Sequence, residues 1–153
     1  MVYYRIMSEQ YYHDPYSCSY NAGRWNPKGI RMVYAGSAPS VSLLEYLCIK
    51  GNAVGRHQWY MIAYDIVAGK WIGEIDKAAL PPDWNIVPHG KSTQEFGRTW
   101  LQEKAFPFLK VPSARINLAF YPEEHNLLIN PDFPGLRNLL TLKETIPFGY
   151  LLG

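Results

Sequence analysis

Cysteine is almost absent: Cys18 and Cys48 are the only two in 153 residues. They allow one bridge at most, and with only His13 near either thiol they do not spell a zinc site. Long apolar runs are missing as well. Nothing approaches the ~20 apolar residues of a membrane span, and Met1 to Met7, interrupted by Arg5, is not a secretory leader. Charge of one sign is also lacking, since fifteen Lys plus Arg stand against thirteen Asp plus Glu, a formal net charge of +2. That balance lacks the dense basic stripe that non-specific nucleic-acid binding needs. The expectation is a cytoplasmic protein without membrane contact or direct nucleic-acid contact.

The usual catalytic signatures are absent too. There is no Gly-x-Gly-x-x-Gly, no phosphate loop ending in Gly-Lys-Ser/Thr, no His-Glu-x-x-His and no Gly-x-Ser-x-Gly elbow. His13, His57, His89 and His125 share no spacing that suggests a metal, so none is expected. What is present is a composition of 48% apolar and 18% charged residues, that of a single folded domain over residues 1–153. The aromatic share is 15%, with five Trp and twelve Tyr, enough to thicken a core or to line a pocket for flat ligands.

Patterning predicts a strand over Val2 to Met7, then a Tyr-rich loop from Ser8 to Ala22. The loop ends in Gly23-Arg24-Trp25-Asn26-Pro27-Lys28-Gly29, where two Gly and a Pro demand a specific backbone path. A strand over Ile30 to Ala35 follows. Pro39 suits a helix's first turn and Gly51 its stop, and Val41, Leu44 and Leu47 with Cys48 recur at helical spacing, so Ala38 to Lys50 reads as an amphipathic helix carrying Glu45 in its middle. Trp59 to Val67 reads as a strand, with Lys70 to Glu74 returning against it as a hairpin around Ala68-Gly69. Ser92-Thr93-Gln94-Glu95 matches a capping box ahead of a helix with Phe96, Trp100 and Leu101 on its apolar face. Further strands are expected at Phe108 to Val111, Arg115 to Phe120, Asn126 to Ile129 and Leu139 to Ile146. Strands outnumber helices without regular βαβ alternation, which argues for an α+β fold with mixed β-sheets and a few helices.

Two polar residues stand where polarity is awkward. Arg24, framed by Gly and Pro, is placed either to grip a phosphate through its planar fork or to pair across its own loop. Glu45, between Leu44 and Tyr46, is either a solvated boundary residue or a carboxylate facing a cleft.

The ordered set Gly23-Arg24-Trp25-Asn26-Pro27 with Gly29, Val33-Tyr34-Ala35, Leu43-Leu44-Glu45-Tyr46-Leu47, Val111-Pro112-Ser113 and Asn126-Leu127-Leu128-Ile129-Asn130-Pro131 resembles the RES domain family. Its Arg, Glu and Ser fall on Arg24, Glu45 and Ser113, and the likeness runs from Arg5 to about Phe148. Gly51 to Thr99 carries nothing diagnostic. The resemblance implies a mono-ADP-ribosyltransferase-like fold and a bacterial toxin of a toxin-antitoxin pair that consumes NAD+ or transfers its ADP-ribose. It also implies an Xre-type helix-turn-helix antitoxin that blocks the cleft, in a homodimer or an antitoxin-bridged hetero-oligomer. Tyr34 fills the family's Tyr at the end of the strand after the Arg motif, and Arg5 its Arg in the first strand.

That chemistry suits these residue types. The nicotinamide of NAD+ is a cation that leaves as a neutral ring, so no general acid is required and one carboxylate suffices, unlike the pair an ordinary glycosidase needs. The resemblance gives Glu45 the ribose hydroxyl and the oxocarbenium-like charge, Arg24 the pyrophosphate with Arg5 beside it, Tyr34 and Trp25 the nicotinamide wall, and Ser113 the ribose or carboxamide. Cleavage by water or phosphate and transfer to a protein side chain stay open, because the acceptor surface lies in loops. A non-enzymatic interaction module is the remaining alternative. It is disfavoured because Tyr11, Tyr12, Tyr16 and Tyr20 lack the interleaved basic residues of a stacking platform.

Overall fold

The computed structural model describes Met1–Gly153. Its strands are β1 (Val2–Ser8), β2 (Val33–Gly36), β3 (Trp59–Ile66), β4 (Ile72–Glu74), β5 (Phe108–Val111), β6 (Asn126–Ile129) and β7 (Leu140–Phe148), and its helices are α1 (Pro39–Lys50), α2 (Lys91–Glu103) and the single-turn α3 (Leu136–Leu139). The strands form one seven-stranded sheet in the order β4-β5-β6-β2-β1-β3-β7. Only the β4–β5 pairing is parallel. The architecture is the expected α+β, with a mixed sheet.

Because side chains alternate across a strand, the pairing register assigns each residue to a face. Tyr3 opposite Tyr64, Arg5 opposite Ile62 and Met7 opposite Tyr60 share one face. There Tyr3, Met7, Ile62, Tyr64, Phe108, Leu127 and Ile129 belong to the largest buried cluster. The Tyr-rich loop roofs this face: Tyr12 stacks on Tyr60 with ring centroids 3.6 Å apart, and Arg137 lies over the ring of Tyr16 at 3.8 Å. The opposite face is covered in two separate parts. The α1 side closes over Ile6, Val54, Trp59 and Met61, and the α2 side over Trp25, Trp84, Trp100, Leu109, Val111 and Leu128. Between them, Tyr4, Gly36, Asn126 and Val111 form one row of cross-strand partners over β1, β2, β6 and β5.

Four local expectations are corrected. Lys70 to Glu74 does not fold back on β3, whose two edges are taken by β1 and β7; β4 crosses to β5 instead. Arg115 to Phe120 is not a strand, because Ser113 Oγ accepts the Arg115 N–H and Asn117 Oδ1 the Ala119 N–H, turning the chain into a short 3-10 segment at Leu118–Phe120. The capping box does not form. Gly90 is the N-cap, and Ser92 and Thr93 spend their hydroxyls on Asp83 and on the Arg24 carbonyl. Cys48 is exposed rather than on the packed face of α1, whose buried residues are Val41 and Ser42.

Candidate active site

The site is built where α1 crosses the sheet. Pro39 opens the helix, Lys50 sits in its last turn, and Gly51 ends it at φ +59°, a left-handed angle that favours glycine, with its N–H on the Leu47 carbonyl. Ser42 donates to the Tyr4 carbonyl at 2.7 Å. A Cβ on Gly36 would lie 2.7 Å from Ser42 Oγ, so the helix reaches the sheet only because position 36 has no side chain. Glu45 follows Ser42 by three residues, on the same helix face. Its Oε1 accepts two hydrogen bonds, one from the Ser113 hydroxyl and one from Asn126 Nδ2 at 2.9 Å. Ser113 is buried, and its oxygen also accepts the Arg115 N–H at 3.0 Å. One carboxylate oxygen is thereby fixed, and Oε2 has no protein partner.

Arg24 comes from the opposite wall. Its loop is wound around Asn26, which is fully buried and donates through Nδ2 to the carbonyls of Asn21 and Ile30 at 2.9 and 2.7 Å. Asn26 Oδ1 accepts the Tyr34 hydroxyl at 2.5 Å, and the Tyr34 oxygen accepts the Trp25 N–H at 3.0 Å. A Cβ on Gly23 would lie 2.6 Å from that hydroxyl. From the other side α2 clamps the loop: Thr93 donates to the Arg24 carbonyl at 2.6 Å and Gln94 to that of Gly23 at 3.1 Å. The Arg24 guanidinium spends Nη1 on the carbonyls of Trp84 and Ile86, both at 2.9 Å. Nη2 and Nε bond no protein atom, leaving one edge of the fork for a ligand.

The electrostatics fit an anion. Burial, and secondarily the Arg115 charge, lower the pKa of Arg24, while Glu45 and Tyr34 raise it. Burial and Arg24 together lower the pKa of His89. Neither Arg24 nor Arg115 forms an ion pair. Next to Ser113 a cleft of about 380 Å³ opens, lined by Trp84, Asn85, Ala114, Arg115, Ile116, Asn117 and Leu118. No three His, Cys, Asp or Glu side chains gather closely enough to hold a metal ion.

Of the six residues singled out in the sequence, Glu45 and Ser113 touch, Arg24 stands on the loop that faces them, and Tyr34 of β2 braces that loop through its hydroxyl. The other two stand apart. Trp25 is 1% exposed and packs edge-on against Phe96 at 5.7 Å, so its ring anchors the loop in the core and offers no face to a ligand. Arg5 projects to the opposite face of the sheet, where it donates to the Pro15 carbonyl and the Tyr64 hydroxyl at 3.3 and 3.4 Å. Its odd place in β1, alternate to Tyr4 and Ile6, was the available signal. Three residues were missed. Asn26 and Asn126 lie inside the quoted motifs, and Arg115 lies two residues past Ser113.

Comparison with known proteins identifies the family. The RES domain matches residues 2–150. The "Prs ADP-ribosylating toxin" of Sphingobium sp. (strain YBL2) is 32% identical over 127 residues, covering 79% of this chain and 73% of that protein. "Toxin Res" of Yersinia enterocolitica is 26% identical over 153 residues, covering 98% of this chain and 97% of that protein. In structure, the chain is similar to one in the MbcT-MbcA toxin-antitoxin complex of M. tuberculosis, with a TM-score of 0.71 at 14% identity, over 97% of this chain and 84% of that one. With the carboxylate, its two donors and the arginine edge already placed, the match over nearly the whole length settles the family: this chain is a member of the RES domain family.

Proposed function

We propose that the protein is the toxin of a toxin-antitoxin pair and that it breaks the nicotinamide-ribose bond of NAD+. The observation that carries this reading is the Glu45 carboxylate, pinned through Oε1 by Ser113 and Asn126 with Oε2 unpartnered. Oε2 accepts the hydrogen bond of a ribose hydroxyl. The bond between the anomeric carbon and the pyridinium nitrogen breaks, its electron pair goes to nitrogen, and the nicotinamide leaves uncharged. Positive charge then grows on the ribose, where a fixed negative oxygen stabilises it more than it stabilises the ground state. The oxygen of water or of phosphate then forms the new bond to that carbon, and an attacking water passes its proton to solvent. Arg24 holds the pyrophosphate on its Nη2–Nε edge, and the ring of Tyr34 borders the nicotinamide. Ser113 acts by aiming Glu45, since its donor is already used. Supporting this reading are the relatives called toxins.

Purified protein incubated with NAD+, with and without phosphate, should release nicotinamide together with ADP-ribose or its phosphorylated form. Intact NAD+ in both arms would overturn the reading. A second reading, transfer of ADP-ribose to a protein, is favoured by one observation, the ADP-ribosylating name of the relative at 32% identity. It predicts release of nicotinamide only when a protein acceptor is added. The partner is an Xre-type helix-turn-helix antitoxin that covers the cleft, in a homodimeric or antitoxin-bridged assembly acting in the cytoplasm. Co-expression of a cognate antitoxin of that type should restore growth and NAD+ levels together.

A further inference from the structure

Arg115 has no part in the chemistry at Glu45, yet its placement is controlled. Its backbone N–H is held by the same Ser113 oxygen that is bonded to Glu45, so any movement of the carboxylate is shared with the chain that carries Arg115. The residue is half-buried and makes no ion pair. It lines the cleft that begins beside Ser113 and runs along Ala114 to Leu118. The far wall of that cleft is Trp84 and Asn85, and the Trp84 carbonyl holds Arg24. Arg115 thus lines the cleft itself, and Arg24 is tied to the backbone of one lining residue, Trp84. Neither guanidinium is neutralised by an ion pair, and two cations so near one another favour a ligand with two negative charges.

Resting on the proposed NAD+ chemistry, we infer that the cleft of Trp84, Asn85 and Arg115 to Leu118 is the subsite for the adenosine diphosphate half of the dinucleotide, with Arg115 gripping the phosphate distal to Glu45. The size fits half a dinucleotide. Ligand sites span roughly 300 to 1,000 Å³, and the cleft of 380 Å³ lies at the low end of that range. The lining also fits a nucleoside. Ile116 and Leu118 supply apolar surface, while Asn117 has its Oδ1 on the Ala119 N–H and its amide hydrogens free to donate to a purine nitrogen. Arg115 is thus a specificity residue. It sets how tightly the substrate is held, and Glu45 sets how fast it reacts.

The test separates this subsite from the reaction itself. ADP-ribose, which lacks nicotinamide, is titrated into the parent and into Arg115→Gln by calorimetry, and NAD+ turnover is followed in parallel. A charge-assisted phosphate contact predicts that Arg115→Gln weakens ADP-ribose binding about 10- to 100-fold and raises KM for NAD+ by the same factor, with kcat within about threefold. Asn85→Trp, at an exposed position on the rim, should weaken ADP-ribose binding by blocking the cleft without touching the core. Unchanged affinity in either folded variant, or a fall in kcat at constant KM, would overturn the subsite. Failure of the proposed reaction looks different: ADP-ribose would still bind and respond to Arg115→Gln while NAD+ stayed intact.

Discussion

Replacing Glu45 with Gln separates charge from shape at a single atom. The amide oxygen of Gln can take the place of Oε1 and accept from Ser113 and Asn126 as the carboxylate does, so the side chain keeps its aim. What disappears is the negative charge. Turnover of NAD+ should fall on the order of 100- to 1,000-fold, the usual cost of losing one preorganised electrostatic group, with a melting temperature close to the parent's. A folded variant within a few-fold of parental turnover would exclude Glu45 from the mechanism. Arg24→Lys tests the other wall. One guanidinium holds the carbonyls of Trp84 and Ile86 while keeping a second edge for phosphate, and a single ammonium has no such second edge. KM for NAD+ should rise about tenfold or more, the cost of one charge-assisted bond. A parental KM would make Arg24 a loop brace and nothing else.

At the scale of elements, much of the layout was legible because it rests on local rules. Pro39 and Gly51 bracket α1, and β5 and β6 have the bounds their apolar runs suggest. The missing capping box has a plain cause: its polar side chains serve a distant segment instead of their own. Thr93 and Gln94 look like parts of a cap and are in fact clamps on Gly23 and Arg24, about seventy positions away in the chain. Pairing of β4 with β5 across the sheet leaves no local trace either. The site was legible as residue types, but the division of labour within it was not, since only the fold shows that the Tyr34 hydroxyl is consumed by the loop. The clamp can be tested at Gly97 of α2. Alanine there gains ~1 kcal/mol of helix propensity, yet its Cβ would fall 1.6 Å from the Trp25 carbonyl oxygen, far inside contact distance. The overlap should dominate, lowering stability by ~1 to 3 kcal/mol and raising KM, because the displaced carbonyl adjoins Arg24. A melting curve no lower than the parent's would show that α2 tolerates a wider gap over the loop.

Across the whole molecule, stability should depend on pH through a histidine that ties the start of β6 to the end of β2 and to β1. His125 is 6% exposed and precedes β6. Its backbone exchanges bonds with Ser37, N–H to Oγ and carbonyl to N–H, each at 3.0 Å. In the ring, Nδ1 donates to the Pro122 carbonyl at 2.6 Å, which leaves Nε2 to accept the Tyr3 hydroxyl at 2.8 Å. That pattern requires a neutral imidazole. Burial is the main cause of a lowered pKa, with Lys110 adding to it and the Pro122 carbonyl and Glu74 opposing. Burial also lifts the Tyr3 hydroxyl to about 12, so the partner remains a donor throughout the neutral range. The sign follows from proton uptake. As pH falls below about 6.5 the unfolded chain binds this proton before the folded one does, so stability declines until pH has passed the lower folded value, and is constant below it. Above about 6.5 both states are neutral and the contribution is complete. Urea denaturation from pH 8 to 5.5 should therefore show a midpoint that falls on the acid side. His125→Gln, which keeps an amide donor and an acceptor without a titrating group, should flatten that decline even though it lowers stability at pH 8. His89 is pushed in the same direction, but it is exposed and loses less. An acid-side slope equal in parent and His125→Gln would remove His125 as its source.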